Sequence, residues 1–288
     1  MIRKTQAALA IAALFAAPAF AAVSFDANVE LDTTYQNANR GASQSGRVEL
    51  NAASKSEKGG GFVAARASYM AGKGGATTVD DMWVQFGNAS GDIKLGRFEA
   101  ADLFPLGKDV IVEDGGAAAG FRANNFRGRT SSAHAALNLN VGGGLGFELG
   151  VMADKKNTGV RPVVSFGMSG FSVKLGVEEG KNAAGQKVSG AGLTVGTTMA
   201  GAGLNLSFAS GKVGGVKGES FGANATFGPA GVGYILDKNG SSKDNIVYAA
   251  YSLPLFETGA TITPAVSYAK GTNMDKQIGL RVRVNYAF

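Results

Sequence analysis

The chain contains a single histidine, His134, in the stretch RTSSAHAALNLN, with Ser131 and Ser132 just before it. A serine beside a histidine raises the question of nucleophilic hydrolysis. That chemistry needs the hydroxyl within hydrogen-bond reach of the imidazole, and a third group to hold the imidazole in place. The stretch alternates polar and apolar residues, so it reads as a strand, whose neighbouring side chains point to opposite faces. His134 shares a face with Ser132 and Asn138, and the sequence contains no Gly-x-Ser-x-Gly elbow. It is read as a residue lining a polar surface. The sequence also has no metal-ligand spacing and no phosphate loop. The expectation is therefore no enzyme, no metal and no cofactor.

What remains is fixed charge. Asp102, Asp109, Glu113 and Asp114 crowd one irregular stretch, and Arg122, Arg127 and Arg129 follow it. Arg47, Arg66, Arg281 and Arg283 lie instead on the polar set of alternating segments. Such groups can impose an electric field on whatever passes between them. Whether they face one another depends on the elements that carry them.

Those elements are strands almost throughout. In the last eight residues, RVRVNYAF, Val282, Val284, Tyr286 and Phe288 alternate with Arg281, Arg283, Asn285 and Ala287. VSFDANVELDTTY, GFVAARASYM, GLGFELGVM and FSVKLGVEE follow the same period. About sixteen such segments follow residue 22, most near the roughly 10 residues that a tilted strand needs to cross a bilayer. The chain has 44 Gly, 6 Pro and only 17% charged residues. That is little charge for a soluble surface and enough for a wall facing lipid. In a soluble sandwich the apolar face would be a packed interior. Here the polar face is largely Gly, Ser, Thr and Asn with charges, which suits a polar lumen inside an apolar wall better.

The first residues read differently. Arg3 and Lys4 precede AALAIAALFAAPAF and then Ala19-Phe20-Ala21, the layout of a secretory signal cleaved after Ala21. The domain expectation is a signal peptide at 1–21 and one barrel domain at 22–288. Removing two of the 28 basic residues leaves 26 against 22 acidic ones, a mild +4. These charges are scattered and not interleaved with aromatics, so nucleic acid is not an expected partner. Links of two kinds alternate along the chain. Tight ones include Ser169-Gly170 and Ala200-Gly201, and longer polar ones are expected at 36–44, 71–77, 153–159, 179–187, 210–217, 237–244 and 270–275. The third long link, EAADLFPLGKDVIVEDGGAAAGFRANN, is much the longest and is too apolar for a solvated tail. It is expected to pack inside the barrel.

A signal, a strand-rich chain and a terminal Phe288 resemble Gram-negative outer-membrane proteins. DIKLGRFEAADLF, a long loop, then FRGR and a new strand resemble the general porins of proteobacteria. The chain departs from that family in its small outer links and in Phe104-Pro105-Leu106, where a Pro-Glu-Phe turn is frequent. The resemblance implies an all-β, transmembrane antiparallel barrel with a third loop folded into the lumen. It implies a homotrimer in outer-membrane lipid that passes small hydrophilic solutes and ions. It also implies that Tyr286 and Phe288 form the signal read by the barrel assembly machinery. A substrate-specific porin and a non-conducting structural or adhesion barrel are the alternatives.

On this reading the acidic loop residues face the basic wall residues across the narrowest point. An Arg in lipid costs about 2–4 kcal/mol at the midplane, so all these Arg are expected in the lumen or at the rim. Arg127 and Arg129 share the parity of Ala133 and Leu137, which requires a bend between 129 and 132. Arg97 has the same parity conflict with Ile93 and Leu95 and is expected past a strand end. The +4 balance, with Arg281 and Arg283, leans towards anions, while Asp26, Glu30 and Asp32 lean the other way; the expectation is a weak anion preference. The signal reading is checked by N-terminal sequencing of the membrane-inserted protein, which should begin at Ala22.

Overall fold

The computed structural model describes residues 22–37, 41–107, 123–272 and 274–288. Sixteen antiparallel strands close on themselves. They are β1 (Val23–Gln36), β2 (Gly41–Lys58), β3 (Gly61–Gly72), β4 (Thr77–Asn88), β5 (Gly91–Arg97) and β6 (Ala133–Gly142). Then come β7 (Leu145–Ala153), β8 (Thr158–Met168), β9 (Phe171–Lys181), β10 (Lys187–Met199) and β11 (Ala202–Val213). The last are β12 (Val216–Phe227), β13 (Ala230–Asn239), β14 (Ser242–Tyr251, continued by Leu253–Leu255), β15 (Ala260–Gly271) and β16 (Met274–Ala287). Each strand pairs with its sequence neighbours, and β16 pairs with β1 from Asn28↔Ala287 to Gln36↔Gly279. Phe288 completes the seam: its amide donates to the Ala27 carbonyl at 2.9 Å and its carbonyl accepts from the Ala27 amide at 2.8 Å. Its ring lies 5.3 Å from that of Tyr286, stacked on the outer surface.

The period-two pattern sorts into two faces as its chemistry requires. Leu206, Phe208, Val247, Val282 and Val284 point outwards and are exposed. Ser207, Thr194, Ser220, Arg281 and Glu30 point inwards and are buried. An exposed apolar surface of this extent makes sense only against lipid.

The links differ from expectation. At one end they are tight, as at Ser169-Gly170 and Ala200-Gly201, but at the other end most are short as well. Only Gly214-Gly215 separates β11 from β12, and only Gly240-Ser241 separates β13 from β14. Gly214 and Gly215 both take positive φ (58° and 88°), the backbone that a two-residue hairpin demands. The polar residues assigned to loops at 179–187, 210–217 and 237–244 are mostly strand ends. Polarity at a strand end and polarity in a loop look alike along the chain.

Two local departures set up the lumen. Opposite Ser68, β4 inserts an extra residue between the pairs Ala67↔Met82 and Tyr69↔Val79. This bulge leaves both Asp80 and Asp81 buried on the inside, although they are neighbours in a strand. The second departure lies where β5 and β6 pair only over Gly91–Leu95. Beyond that point the chain leaves the wall, and an outward cleft of about 810 Å³ opens beside Met82, Leu95, Arg97 and Val151. Arg97 is not past the strand: it is the last residue of β5, opposite Met82 in the outward set. Its Nε donates to the carbonyls of Val79 and Asp80 at 2.8 Å each, which satisfies a cation on that face.

Leu206 sits midway along β11 and is 54% exposed. Leu206→Arg should lower the unfolding free energy in phospholipid vesicles by about 2–4 kcal/mol. Denaturant unfolding would read this, and an unchanged midpoint would mean that residue 206 does not face lipid.

Candidate functional site

The lumen has two unlike halves. On β16 and β1–β4 the inward residues are charged. Arg283 clasps Asp32 with Nε to Oδ1 at 2.8 Å and Nη2 to Oδ2 at 2.9 Å, and reaches Glu30 at 3.2 Å. Arg281 lies 3.4 Å from Asp32, and Arg47 lies 3.0 Å from Glu30. Arg66 lies 3.5 Å from Asp81 and donates to Asn51 Oδ1 at 3.0 Å. Closure brings these groups together, because the pairing of β16 with β1 sets Asp32 opposite Arg283.

On β8–β15 many inward residues are small or apolar, among them Val163, Gly176, Gly192, Ala209, Gly222, Ile235, Ile246 and Ala269, with a few buried charges such as Arg161, Glu178 and Asp237 between them. The chain that leaves β5 packs here. Leu103 is fully buried over Gly176 and Gly192, where an added Cβ would lie 2.7 Å and 3.0 Å from it. Phe104 fills the space above Gly222, and Phe126 fills the space above Gly159. Side chains of the wall fix the backbone. Thr194 Oγ1 donates to the Leu103 carbonyl at 2.7 Å, Asn224 Nδ2 to that of Pro105 at 2.8 Å, and the Tyr248 hydroxyl to that of Leu106 at 2.9 Å. Residues 98–107 and 123–126 of the third long link therefore lie inside the barrel.

The two roots of this link are clamped. The Ala100 amide donates to the Arg127 carbonyl at 2.8 Å, and the Arg129 amide to that of Phe98 at 2.9 Å. Behind them Arg161, on β8, is fully buried. Its Nη2 donates to the Ala101 carbonyl at 2.6 Å and to Asn124 Oδ1 at 3.0 Å, its Nε donates to the Ala123 carbonyl at 3.2 Å, and its Nη1 lies 3.5 Å from Glu148. Glu148 accepts from the Ala101 amide at 3.1 Å, and Glu178 accepts from Asn125 Nδ2 at 2.6 Å and from the Phe126 amide at 3.2 Å. Sequence reasoning missed Arg161, Glu148 and Glu178. The one available signal was a charge at an inward position on strands otherwise lined by small residues.

Arg47, Arg66, Arg281 and Arg283 lie on the inner wall. Arg127 and Arg129 precede β6, and the chain bends at 130–132, so strand parity does not govern them. Arg127 lies 3.1 Å from Glu99 and 3.5 Å from Asp102, within the link's own roots, and Arg129 lies 3.1 Å from Asp80. Asp102 is thus paired locally and does not contact the arginines of the wall. Asp109, Glu113, Asp114 and Arg122 lie outside the described residues. His134 is buried and stacks on Phe98 with ring centroids 4.0 Å apart. Ser132 Oγ instead donates to Asp154 at 2.6 Å. That bond, with the amides of Asn157 and Lys156, holds the Asp154 carboxyl below its ordinary range.

A closed sixteen-stranded wall, an apolar exterior and a link packed across part of a charged lumen define an outer-membrane β-barrel of the channel-forming class. A family model described as porin-like glycoporin RafY matches residues 17–139. No curated protein sequence matches the chain. Among solved structures, a loop-deletion mutant of OmpT from Vibrio cholerae is similar with TM-score 0.75 at 11% identity, covering 94% of this chain and 100% of that one. The anion-selective porin from Comamonas acidovorans gives 0.71 at 17% identity, covering 93% and 100%. A mutant of the Rh. blastica porin gives 0.69 at 12%, covering 93% and 100%. The family match spans less than half of the chain, and the solved structures show the fold, that of a multi-pass β-barrel of the outer membrane.

Removing Arg161 leaves the half-buried Glu148, and the link carbonyls that Arg161 serves, without their cation, at a cost of up to about 3–5 kcal/mol. Arg161→Met should lower the denaturation midpoint and raise open-channel current noise as the roots loosen. Adding Glu148→Gln should recover part of the loss. Equal stability in wild type and single variant would show that the clamp does not hold the link.

Proposed function

We propose that the chain is a passive diffusion channel for small hydrophilic solutes and ions, with a weak anion preference, rather than an enzyme. The observation that carries this reading is the division of the lumen. The internal link rests on the small and apolar half, so the open path runs along the charged half. There the guanidinium groups reach furthest into the path: side-chain exposure is 45% for Arg47 and 36% for Arg66, against 9% for Glu30 and 13% for Glu49. A solute meets the basic ends first, and a low-dielectric wall strengthens their field.

Export through a signal at 1–21 and insertion by the assembly machinery through Tyr286 and Phe288 belong to the same proposal. So does a homotrimer. One OmpT structure with this fold is a trimer form, and the outward cleft beside Arg97 interrupts the lipid-facing wall here. A substrate-specific sugar channel is a second reading, favoured by the glycoporin description of the family and by Trp83, with Lys94 Nζ 3.9 Å from its ring centroid.

Planar-bilayer recording of the folded protein tests the proposal, and absence of conductance would end it. In a salt gradient, Arg47→Gln with Arg66→Gln should move the reversal potential towards cations, more at low salt, where screening is weaker. Arg281→Gln with Arg283→Gln should move it less, because those groups are largely enclosed by Asp32 and Glu30. Sugar uptake by liposomes that saturates at low concentration would favour the second reading.

A further inference from the structure

The open half of the lumen carries aromatic rings on its wall. Val63, Val84 and Phe86 face outwards, so Phe62, Trp83 and Gln85, which alternate with them, stand on the inner wall. Among the described residues the other inward rings, Phe98, Phe104, Phe126 and Tyr248, belong to the link or hold it. Trp83 leans on the Phe98 cluster at one root of the link, whereas Phe62 belongs to none of the buried apolar clusters. A ring left beside a water-filled path adds little to the stability of the wall, because apolar surface stabilises a fold only where it leaves water.

Phe62 and Trp83 line one cavity of about 540 Å³ near the tight-turn end, together with Ser24, Lys55, Ala64 and Gln85. Strand pairing assembles it: Lys55 stands opposite Ala64, Ala64 opposite Gln85, and Gln85 opposite Lys94. Each ring has an ammonium over its face. Lys55 Nζ lies 5.1 Å from the Phe62 centroid and Lys94 Nζ 3.9 Å from that of Trp83, both within cation–π range. Neither ammonium is locked to a buried carboxylate. Lys55 lies 2.5 Å from Glu57, but both side chains are more than half exposed, and exposed pairs hold weakly. Lys94 makes no ion pair or hydrogen bond through its ammonium among the described residues. The carboxylates around it are engaged elsewhere: Asp81 by Arg66 and Arg129, Asp92 by Asn138, and Glu148 by Arg161.

Ring faces beside weakly engaged cations suit a solute that is flat at one end and anionic at the other. Ring-on-ring contact attracts beyond the area it buries, and a carboxylate is held more strongly against a low-dielectric wall than in bulk water. A neutral sugar offers no charge to the two ammonium groups, and an inorganic anion offers nothing to the rings. We propose that this cavity is a solute subsite for small aromatic carboxylates, with the ring against Phe62 and Trp83 and the carboxylate drawn to Lys55 and Lys94. The subsite rests on the channel reading, and it makes the wall select by shape as well as by charge.

Trp83 is the single Trp of the chain, so its fluorescence reports on this cavity alone. The test titrates the full protein, folded in non-ionic detergent, with benzoate, benzamide, cyclohexanecarboxylate and a neutral trisaccharide. Benzoate should change the indole emission saturably and at least about tenfold more tightly than benzamide, which keeps the ring and lacks the charge. Cyclohexanecarboxylate, which keeps the charge and lacks the aromatic ring, should bind about threefold or more weakly than benzoate. Phe62→Leu should weaken benzoate by about threefold or more. Lys55→Gln with Lys94→Gln should abolish the preference for benzoate over benzamide, and Arg at both positions should retain it. If the double Gln variant does not fold, Lys55→Gln alone should weaken benzoate by about threefold. No saturable response to benzoate, an equal response to benzamide, tighter binding of the trisaccharide, or unchanged binding by Phe62→Leu would each overturn the subsite. Planar-bilayer current in potassium chloride is read separately on the same preparation: its absence ends the channel reading, whereas current without benzoate binding ends only the subsite.

Discussion

Lipid offers no hydrogen-bond partner to a peptide group, so a chain of strands can sit in it only if every strand is paired on both sides. The rest of the structure depends on that closure. It places β16 beside β1, which brings the two ends of a long chain into register and lets Phe288 finish the seam on Ala27. It fixes the period-two sorting, because one face of every strand now meets acyl chains and the other meets the lumen. It also creates the acid–base ladder: Asp32 and Arg283 lie at opposite ends of the sequence and become neighbours only when the sheet closes. No strand pair taken alone would have either its charges or its edges satisfied.

A closed wall this size would leave an open lumen, and the chain fills part of it with its own third link. The difficulty is that a link inside a barrel buries backbone polar groups on a surface without strands to pair with. The structure meets this from both sides. Two short backbone bonds join the roots to each other, and Thr194, Asn224, Tyr248 and Arg161 supply donors to carbonyls that no ladder reaches. Room comes from wall positions that lack side chains. Leu103, Phe104 and Phe126 each fit above a glycine, which accounts for part of the unusual glycine content. An Arg enclosed this fully is tolerated because carbonyls and Glu148 surround it, and an uncompensated charge there would carry a penalty of several kcal/mol.

Much of this could be read along the chain because strand parity is a local property. The alternation around Val282 and Val284 says which face meets lipid, and it says so without any knowledge of neighbours. The long apolar third link announced itself in the same way. What could not be read were partners. Parity puts Arg47 near a lumen and the length of the third link puts Asp102 there, yet neither says that Asp102 turns back to Arg127 at its own root. Nor can alternation anticipate the bulge that turns both Asp80 and Asp81 inwards, because two adjacent acids in a strand violate it. Loop lengths read along the chain exceed the real ones for a related reason: Lys181 and Lys187 have the polarity of loop residues, yet they are a cross-strand pair.

The pairing of lumen charges also governs how far their field can act. An isolated guanidinium projects a monopole that reaches about a Debye length, roughly 8 Å at physiological salt. A guanidinium held against a carboxylate projects a dipole, which falls away faster. Arg281 and Arg283, both enclosed with Asp32, are of the second kind. Arg47 and Arg66 touch carboxylates on one side only and remain partly open on the other. In the proposed channel, exposure weights the charges, and a near-balance of acids and bases on the wall does not translate into a neutral path. The field along such a path is shaped less by how many charges line it than by which member of each pair stands in front.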